Sequence, residues 1–314
     1  MRSILLGLML AACGDEVTAA RPDGAMPITP QDAGRRAGGG DTTVEPGDAS
    51  GEWCGDVLVT GDVTVPAGAT LTICAGSVVT FASGAAMRVQ GTLLVRGTAD
   101  RRVQLAGDGM WAGLFVNGSF EADFTDVYDA DLAITGEAGS QIRFDDGLIF
   151  ARTGGSLTLA NGASLARSTI QFGRSIRVTG GTLSLTDSVV DFDHPRATPD
   201  CVLVAGGALS VDHSQIGNCH CPLHITAGGP VDVRDSILDG AAYPVMIAAV
   251  TAEIHGSHLL GSGASLQDIG GPFTANISGN DYGGDAPVLD TDDAAQFTGA
   301  DQFEAAPIPG VGPR

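Results

Sequence analysis

GGTLSLTDSVV at residues 180–190, GGALSVDHSQI at 206–216 and GGPVDVRDSIL at 228–238 are three copies of one short pattern. A paired glycine, or a stand-in for it, begins six copies, at residues 154, 180, 206, 228, 249 and 270, so the spacings are 26, 26, 22, 21 and 21 residues. In the four copies from 180 to 249, apolar or small residues follow at plus three and plus five, and a serine stands at plus eight. A short fixed period built from strands of alternating polarity predicts a solenoid rather than a globular sheet.

Stacking of the copies explains how such short strands can bury their apolar side chains. In a parallel coil each aliphatic residue lies about 4.8 Å from its counterpart in the next coil, so the core grows along one axis. The serines stack likewise, at Ser188, Ser214, Ser236 and Ser257. Inward hydroxyls can bond the turn backbone or the next serine, and no histidine recurs in step with them. We therefore predict a structural ladder and not a catalytic serine.

These repeats resemble the right-handed parallel β-helix of pectate-lyase-like proteins. The earlier run VTVPAGATLTICAGSVVTFASGAAMRVQGTLLVRGTADRRVQLAG, residues 63–107, resembles the opening coils of bacterial surface β-helix proteins. The resemblance covers residues 54 to 306 and implies an all-β fold, a single-stranded right-handed parallel β-helix (β-solenoid) of about ten coils. This architecture hosts lyases, hydrolases, adhesins and proteins without activity, so the resemblance specifies the fold better than the function.

Residues 1–13, MRSILLGLMLAAC, resemble a bacterial lipoprotein signal. An arginine and a short apolar run lead to the lipobox Leu10-Ala11-Ala12-Cys13, which implies cleavage before Cys13 and attachment of lipid to its sulfur. The apolar run is too short to span a bilayer. Gly14 follows the cysteine, as in lipoproteins sent to the outer membrane. We therefore predict a bacterial envelope protein, an outer-membrane lipoprotein whose membrane partner is reached through the lipid anchor.

The composition divides the chain into four parts. Residues 1–12 are predicted as the signal peptide, and residues 13–50 as the lipidated cysteine and a disordered tether rich in Gly, Pro, Asp and Ala. The β-helix domain with a charged, proline-bearing C-terminal cap is predicted over 51–306, because an open end would expose unpaired backbone groups. A flexible tail is predicted over 307–314.

Export makes the cysteines disulfide candidates. Cys54 and Cys74 are separated by about one coil, so stacking would bring their backbones to bridging distance. Cys201 is expected to pair with either Cys219 or Cys221, and one thiol is then left over.

The formal net charge is −21, and all sixteen basic residues are arginine. An acidic surface repels phosphate backbones, so we predict no nucleic-acid partner. No cofactor and no metal are predicted either, and we expect a monomer.

The best local candidate for chemistry is VDFDHPRATPDC, residues 190–201. A longer coil places acidic and basic side chains at one corner there, and the next coil carries GNCHCPLH (217–224). A metal held by a histidine and the left-over thiolate is conceivable, but the ligand spacing is unfamiliar, and a disulfide-pinned loop is the simpler interpretation. The weak candidate site consists of Asp191, Asp193, His194, Arg196 and His220.

The motifs of the polysaccharide-active relatives are missing. The chain has no lysine, no Gly-His-Gly, no Asn-Thr-Asp and no Arg-Ile-Lys, and the pairs Asp145-Asp146 and Asp292-Asp293 lack companions. We therefore predict no catalytic residues, and a non-catalytic structural or binding module for a cell-surface polysaccharide or protein. The alternative is a polysaccharide lyase or glycoside hydrolase of the pectate-lyase-like superfamily. On the closing strands we also expect an outward stripe of side chains that share no single chemistry. It consists of Arg177, Leu203, His224, Met246 and Gln267.

Overall fold

The computed structural model describes residues 41–151, 155–171, 173–192, 200–291, 293 and 296–314, and these contain no α-helix. Their strands form three parallel sheets of eleven, twelve and twelve strands, and each coil gives one strand to each sheet in turn. This is a parallel β-solenoid of the right-handed type with about eleven coils. The predicted fold class is therefore confirmed, with about one coil more than expected.

The first sheet begins each coil, and its strands are three to six residues long. They are β1 (Thr42–Val44), β4 (Asp56–Val59), β7 (Val78–Ala82), β10 (Val103–Asp108), β13 (Thr125–Tyr128), β16 (Leu148–Phe150), β19 (Thr169–Gln171), β22 (Val189–Asp191), β25 (Gln215–Cys219), β28 (Ile237–Gly240) and β31 (His258–Gly261).

The second sheet contains the closing strands of the repeat. They are β2 (Gly47–Asp48), β5 (Val63–Val65), β8 (Ala86–Val89), β11 (Trp111–Val116), β14 (Ala130–Gly136), β17 (Gly155–Leu159), β20 (Ile176–Val178), β23 (Val202–Val204), β26 (Leu223–Ile225), β29 (Val245–Ile247), β32 (Leu266–Asp268) and β34 (Leu289–Asp290).

The third sheet contains the strands that follow the paired glycines. They are β3 (Gly51–Trp53), β6 (Thr70–Ile73), β9 (Thr92–Arg96), β12 (Ser119–Asp123), β15 (Gln141–Asp145), β18 (Gly162–Ala166), β21 (Thr182–Thr186), β24 (Ala208–Asp212), β27 (Val231–Arg234), β30 (Thr251–His255), β33 (Thr274–Asn276) and β35 (Phe297–Thr298).

The core follows from the alternation within these strands. Leu183 pairs in register with Leu209, as Leu185 does with Val211, and all four side chains are 1% exposed or less. The same columns continue through β27 and β30. Burying a large aliphatic side chain is worth about 1.5–3 kcal/mol, so the repeated inward positions supply the main stabilisation of the stack.

The serine column forms a continuous hydrogen-bonded ladder. The backbone N–H of Ser188 donates to Ser214 Oγ at 3.1 Å, and Ser214 N–H donates to Ser236 Oγ at 3.1 Å. Each hydroxyl also donates to the carbonyl two residues earlier, as Ser214 Oγ does to Asp212 O at 2.8 Å. Asn280 ends the ladder by accepting from Ser257 N–H at 3.0 Å. These hydroxyls are therefore committed to the backbone, as predicted.

The residue before each ladder position adopts a left-handed backbone and turns the chain from the third sheet to the first. We call this column the left-handed corner: Phe124, Asp146, Arg167, Asp187, His213, Asp235 and Gly256, with φ between 44° and 61°. Asp and His tolerate positive φ better than most residues do, which accounts for their presence in this column.

A glycine is required where the coils approach most closely at the corner between the second and third sheets. A Cβ built on Gly118 would lie 2.0 Å from the carbonyl oxygen of Gly91, one coil away. No side chain fits there, which explains why glycine begins the repeat at this corner.

The two ends of the solenoid differ from the predicted boundaries in detail. The first coil starts at Thr42, because β1 pairs with β4 and Val44 packs against the core. At the other end, β34 and β35 continue the second and third sheets in register. Segment 308–314 lies against the coils: Ile308 O contacts His258 Nε2 at 3.2 Å, and Gly312 N–H donates to Asp235 O at 2.9 Å.

None of the described residues belongs to a helix with the length and apolar character needed to cross a bilayer.

Candidate functional site

Among the strands that the structure describes from β1 to β33, β22 and β23 are separated by the most residues. Their connection contains ten residues, 192–201, whereas the other connections in that span contain one to six. Of the predicted site residues, Asp193, His194 and Arg196 lie outside the described residues. The described part of the site therefore consists of Asp191, which ends β22, and the residues around 200 and 220.

A β-bulge in β25 shapes the next coil beside this connection. Gly217 pairs with Asp239 and Cys219 with Gly240, so Asn218 is the extra residue, at φ 55°. The bulge aims Asn218 Nδ2 at Asp191 Oδ1, 2.8 Å away, and turns Cys219 into the core. The side chain of Asp191 is therefore tied to the neighbouring coil.

Asp200, His220 and His224 form a polar group at the end of the long connection, which we call the Asp200 cluster. Asp200 Oδ1 lies 3.1 Å from His220 Nδ1, and Oδ2 lies 2.5 Å from His224 Nδ1. His224 projects from β26 and His220 from the turn before it. A carboxylate only accepts hydrogen bonds, so Nδ1–H of each ring donates to Asp200 and each ring directs its Nε2 away from it.

The environment of Asp200 keeps it ionised. Burial raises the pKa of the Asp200 carboxyl, but hydrogen bonds from His224 and His220 and their charges outweigh burial and hold it below its ordinary value. A carboxyl with a lowered pKa is a weak base and holds no proton to donate at neutral pH. The Asp200 carboxylate thus holds two imidazole rings in place and does not form an acid–base pair with them.

The cysteines form both expected bridges. Cys54 is bonded to Cys74, and Cys201 to Cys219, with Cα–Cα distances of 4.9 Å and 5.8 Å. Of the two partners considered for Cys201, the structure therefore selects Cys219. The second bridge pins the end of the long connection to the next coil.

Cys221 is the left-over thiol, and it is fully buried. Its Sγ donates to the carbonyl of Leu223 at 3.0 Å. Burial and the charge of Asp200 raise the pKa of the Cys221 thiol far above its ordinary value. A protonated, buried thiol is neither a nucleophile nor a metal ligand, so a metal site completed by this cysteine is disfavoured.

The predicted outward stripe of the second sheet is in register. Arg177 pairs with Leu203, Leu203 with His224, His224 with Met246 and Met246 with Gln267. Both tryptophans, Trp53 and Trp111, are in the core, at 8% and 0% exposure. Neither indole is available for stacking on a sugar ring.

Many acidic side chains of the third sheet are engaged in ion pairs. Arg96 Nη1 lies 3.0 Å from Asp123 Oδ2, and Arg143 Nη2 lies 3.0 Å from Asp123 Oδ1 and 2.6 Å from Asp145 Oδ2. Arg167 Nη2 lies 2.7 Å from Asp146 Oδ2. The adjacent pair Asp145-Asp146 therefore serves this network, which connects successive coils.

Comparisons with protein-family models, with curated proteins and with solved structures find no match for this chain. The function is therefore argued from the side chains themselves.

Proposed function

We propose that this protein is a lipid-anchored parallel β-helix of the bacterial envelope that acts as a non-catalytic structural or binding module. The observation that carries the proposal is the shortness of the connections. From β1 to β33 they contain one to six residues, apart from 192–201. Enzymes usually bind small substrates in walled clefts. Short connections build no such walls, so the lateral faces suit a broad contact with a large partner.

The chemistry of the candidate groups supports the same conclusion. The ladder hydroxyls bond the backbone, the Asp200 carboxylate is shared by two imidazoles, and the Cys221 thiol is protonated and buried. A nucleophile needs an adjacent base, and a general base needs a pKa near the working pH. None of these three groups meets either requirement.

The partner we propose is a cell-surface polysaccharide or protein. With both indoles buried, recognition would use the polar and aliphatic side chains of the outward stripe rather than ring stacking. Signal cleavage, lipid on Cys13 and a tether would hold the domain away from the membrane, consistent with the lipobox. The pectate-lyase-like relationship is part of this proposal and is supported by the repeat and the three-sheet topology.

A second candidate is a polysaccharide lyase or glycoside hydrolase of the same superfamily. The specific observation in its favour is the position of the Asp200 cluster. Two imidazoles held by one carboxylate adjoin the longest connection between β1 and β33, whose sequence also contains Asp193, His194 and Arg196.

An incubation with acidic glycans distinguishes the two candidates. The full chain is mixed with polygalacturonate or alginate, and three quantities are followed: retention on the glycan, ultraviolet absorbance of new double bonds, and reducing ends. We expect no turnover. Turnover that disappears in Asp200→Asn or Arg196→Gln but persists in the exposed control Asp285→Asn would establish the enzyme instead.

The anchor is tested separately by cell fractionation. Cys13→Ser should move the protein from the membrane fraction to the soluble fraction, because the sulfur that carries the lipid is gone. Cys221→Ser is the matched control, since it removes a cysteine thiol elsewhere and should leave the protein with the membranes. Retention of Cys13→Ser in the membrane fraction would refute the lipid anchor.

A further inference from the structure

Three side chains at the left-handed corner bring metal-ligating atoms together. Asp212 ends β24, His213 follows it, and Asp235 occupies the position of His213 one coil later. One ligand atom from each of the three lies within 4.8 Å of the other two. We call Asp212, His213 and Asp235 the corner triad.

Hydrogen bonding fixes the orientation of the imidazole. His213 Nδ1 lies 2.9 Å from Asp212 Oδ1, so Nδ1–H donates a hydrogen bond to the carboxylate and the ring directs its Nε2 to the other side. On that side Nε2 lies 3.7 Å from Asp235 Oδ2. An imidazole nitrogen and a carboxylate oxygen face each other across this gap, and both are ligand atoms for a cation.

The separation also fits a metal. Zinc binds imidazole nitrogen at about 2.0–2.1 Å and carboxylate oxygen at about 2.0–2.2 Å, so two ligand atoms of one ion are separated by somewhat less than the sum of two such bonds. The 3.7 Å between His213 Nε2 and Asp235 Oδ2 lies in that range. One nitrogen with carboxylate oxygens suits zinc and neighbouring transition metals better than calcium or magnesium.

The backbone holds the triad in place before any ligand arrives. His213 has φ 44° and Asp235 has φ 49°, and the residues after them, Ser214 and Ser236, are fixed by the serine ladder. The His213 side chain is 14% exposed, whereas Asp212 and Asp235 are 38% and 45% exposed. An ion therefore has access to the carboxylates, and the imidazole is already positioned by the fold.

The chain itself places a cation at this point. The guanidinium of Arg314 contacts His213 Nε2, and the nearby hydrogen bond from Gly312 N–H to Asp235 O holds segment 308–314 beside the triad. The other nearby cation, Arg234, is paired with Asp232. Arg314 thus shows that the gap accepts positive charge, and it stands where a metal would bind.

We propose that the corner triad is a binding site for a divalent transition metal of the zinc type, for which Arg314 competes. His213 Nε2 and Asp235 are the ligands in this arrangement, and Asp212 orients the imidazole. Binding of the ion displaces Arg314 from His213.

The test uses the untagged full chain with Zn²⁺ followed by titration calorimetry, and Co²⁺ followed by its visible absorption. His213→Asn removes the imidazole but keeps a residue that tolerates positive φ, and it should weaken Zn²⁺ binding by at least roughly tenfold. Arg314→Gln removes the competing cation and should strengthen binding. His255→Asn is the matched control, since His255 ends β30 in register with Arg234, outside the triad, and should change nothing.

Circular dichroism and thermal melting of each variant separate a lost site from a lost fold. Zinc binding that is unchanged in a folded His213→Asn variant would overturn the site. No gain in affinity in Arg314→Gln would overturn the competition. Absence of zinc binding in both the wild type and Arg314→Gln would overturn the whole proposal. None of these outcomes depends on the glycan or fractionation results, because they concern a different corner of the solenoid.

Discussion

Two parts of the solenoid hold their coils together by different means. In the ladder coils, residues 168–261, serines occupy one column and aliphatic side chains fill the core. In the aromatic coils, residues 78–150, the same column holds Val103, Thr125 and Gly147, and aromatic rings share the core with aliphatic side chains. Phe81 stacks on Trp111 with ring centroids 4.2 Å apart.

This difference shows which features of the sequence the path of the backbone depends on. Both parts follow the same three-sheet course, so the course depends on inward and outward alternation and on the left-handed corner, not on one residue type per column. The repeat is visible in the sequence only where the columns are filled uniformly.

Leu185→Asp should disrupt the ladder coils altogether. Leu185 is fully buried between Leu165 and Val211, so an aspartate there would place an unpaired charge in the aliphatic stack. Far-ultraviolet circular dichroism should show lost strand signal, and limited proteolysis should cut within the ladder coils. The control is Ser184→Asp, an outward position next to serines in both neighbouring coils, which should melt as the wild type does. Native melting of Leu185→Asp would contradict the register.

Trp111→Ala should be the most damaging truncation in the aromatic coils. The indole is fully buried, stacks on Phe81 and donates from Nε1 to Tyr128 O at 2.8 Å. Removing a buried tryptophan side chain costs about 3–5 kcal/mol. Denaturant unfolding should show that loss, whereas Met110→Ala, at a half-exposed neighbour, should stay within about 0.5 kcal/mol of wild type. Equal effects of the two changes would mean that the ring stack does not hold these coils.

Ser214→Ala tests one rung of the ladder. It leaves the buried N–H of Ser188 without its acceptor, which costs about 1–3 kcal/mol. Ser210→Ala on the same sheet is the control, because Ser210 faces outward on β24 and should change stability by about 0.5 kcal/mol at most. A loss as large as that of Trp111→Ala would show that the ladder, and not the apolar stack, dominates.

The architecture could be predicted well because equivalent positions of successive copies lie opposite one another in neighbouring coils. Plus-three and plus-five positions, the serine column and the outward stripe follow directly from alternation and period, and the structure places Leu209, Ser214 and His224 accordingly. The aromatic coils lie within the predicted β-helix domain, residues 51–306. Their ring stacking was not predicted, since no period marks it.

The candidate site was less predictable, for a physical reason. Side chains meet there across coils of unequal length, so sequence distance does not give spatial distance. Asp200 and its contacts with His220 and His224 depend on how the ten-residue connection ends and on the bulge at Asn218. His213 carries no repeat signal of its own, because the sequence has no column of histidines. The signal that could have found the corner triad was the recurrence of Asp or His directly before Ser188, Ser214 and Ser236.

Asp200→Asn tests the end of the long connection, which interrupts the ladder coils. Because the pKa of Asp200 is lowered in the folded chain, its ionised form stabilises the fold above the ordinary aspartate value of about 3.9, and this contribution disappears as the pH falls through the lower folded value. The variant should be less stable than wild type at neutral pH by about 1 kcal/mol or less.

The measurement is denaturant unfolding as a function of pH. The difference between Asp200→Asn and wild type should shrink below about pH 4. Asp285→Asn, at an exposed position, is the control and should follow wild type throughout. A difference that grows as the pH falls would reverse the sign and contradict the assignment of Asp200 as a stabilising carboxylate.

Arg143→Gln should have the smallest effect, although Arg143 contacts two carboxylates. Asp123 would keep Arg96 at 3.0 Å, and Asp145 would keep Arg167 at 3.6 Å, so no carboxylate loses its last partner. The arginine is 47% exposed, and exposed pairs are worth about 0.2–1 kcal/mol. Denaturant unfolding should show a loss in that range that vanishes in 1 M salt, where the screening length is about 3 Å.

Arg102→Gln tests a more buried ion pair in the same coils, for comparison with Arg143→Gln. Arg102 Nε and Nη2 both bond Asp126, whose side chain is only 9% exposed, so losing this arginine should cost more than losing Arg143 and should resist salt better. If Arg143→Gln instead cost as much as Trp111→Ala, the ion pairs would hold the aromatic coils and the rings would merely fill space. We expect the loss of stability to be largest for the buried indole, smaller for the buried ion pair and smallest for the exposed ion pair. In that order, core packing supplies most of the stability of these coils, as it does in the ladder coils.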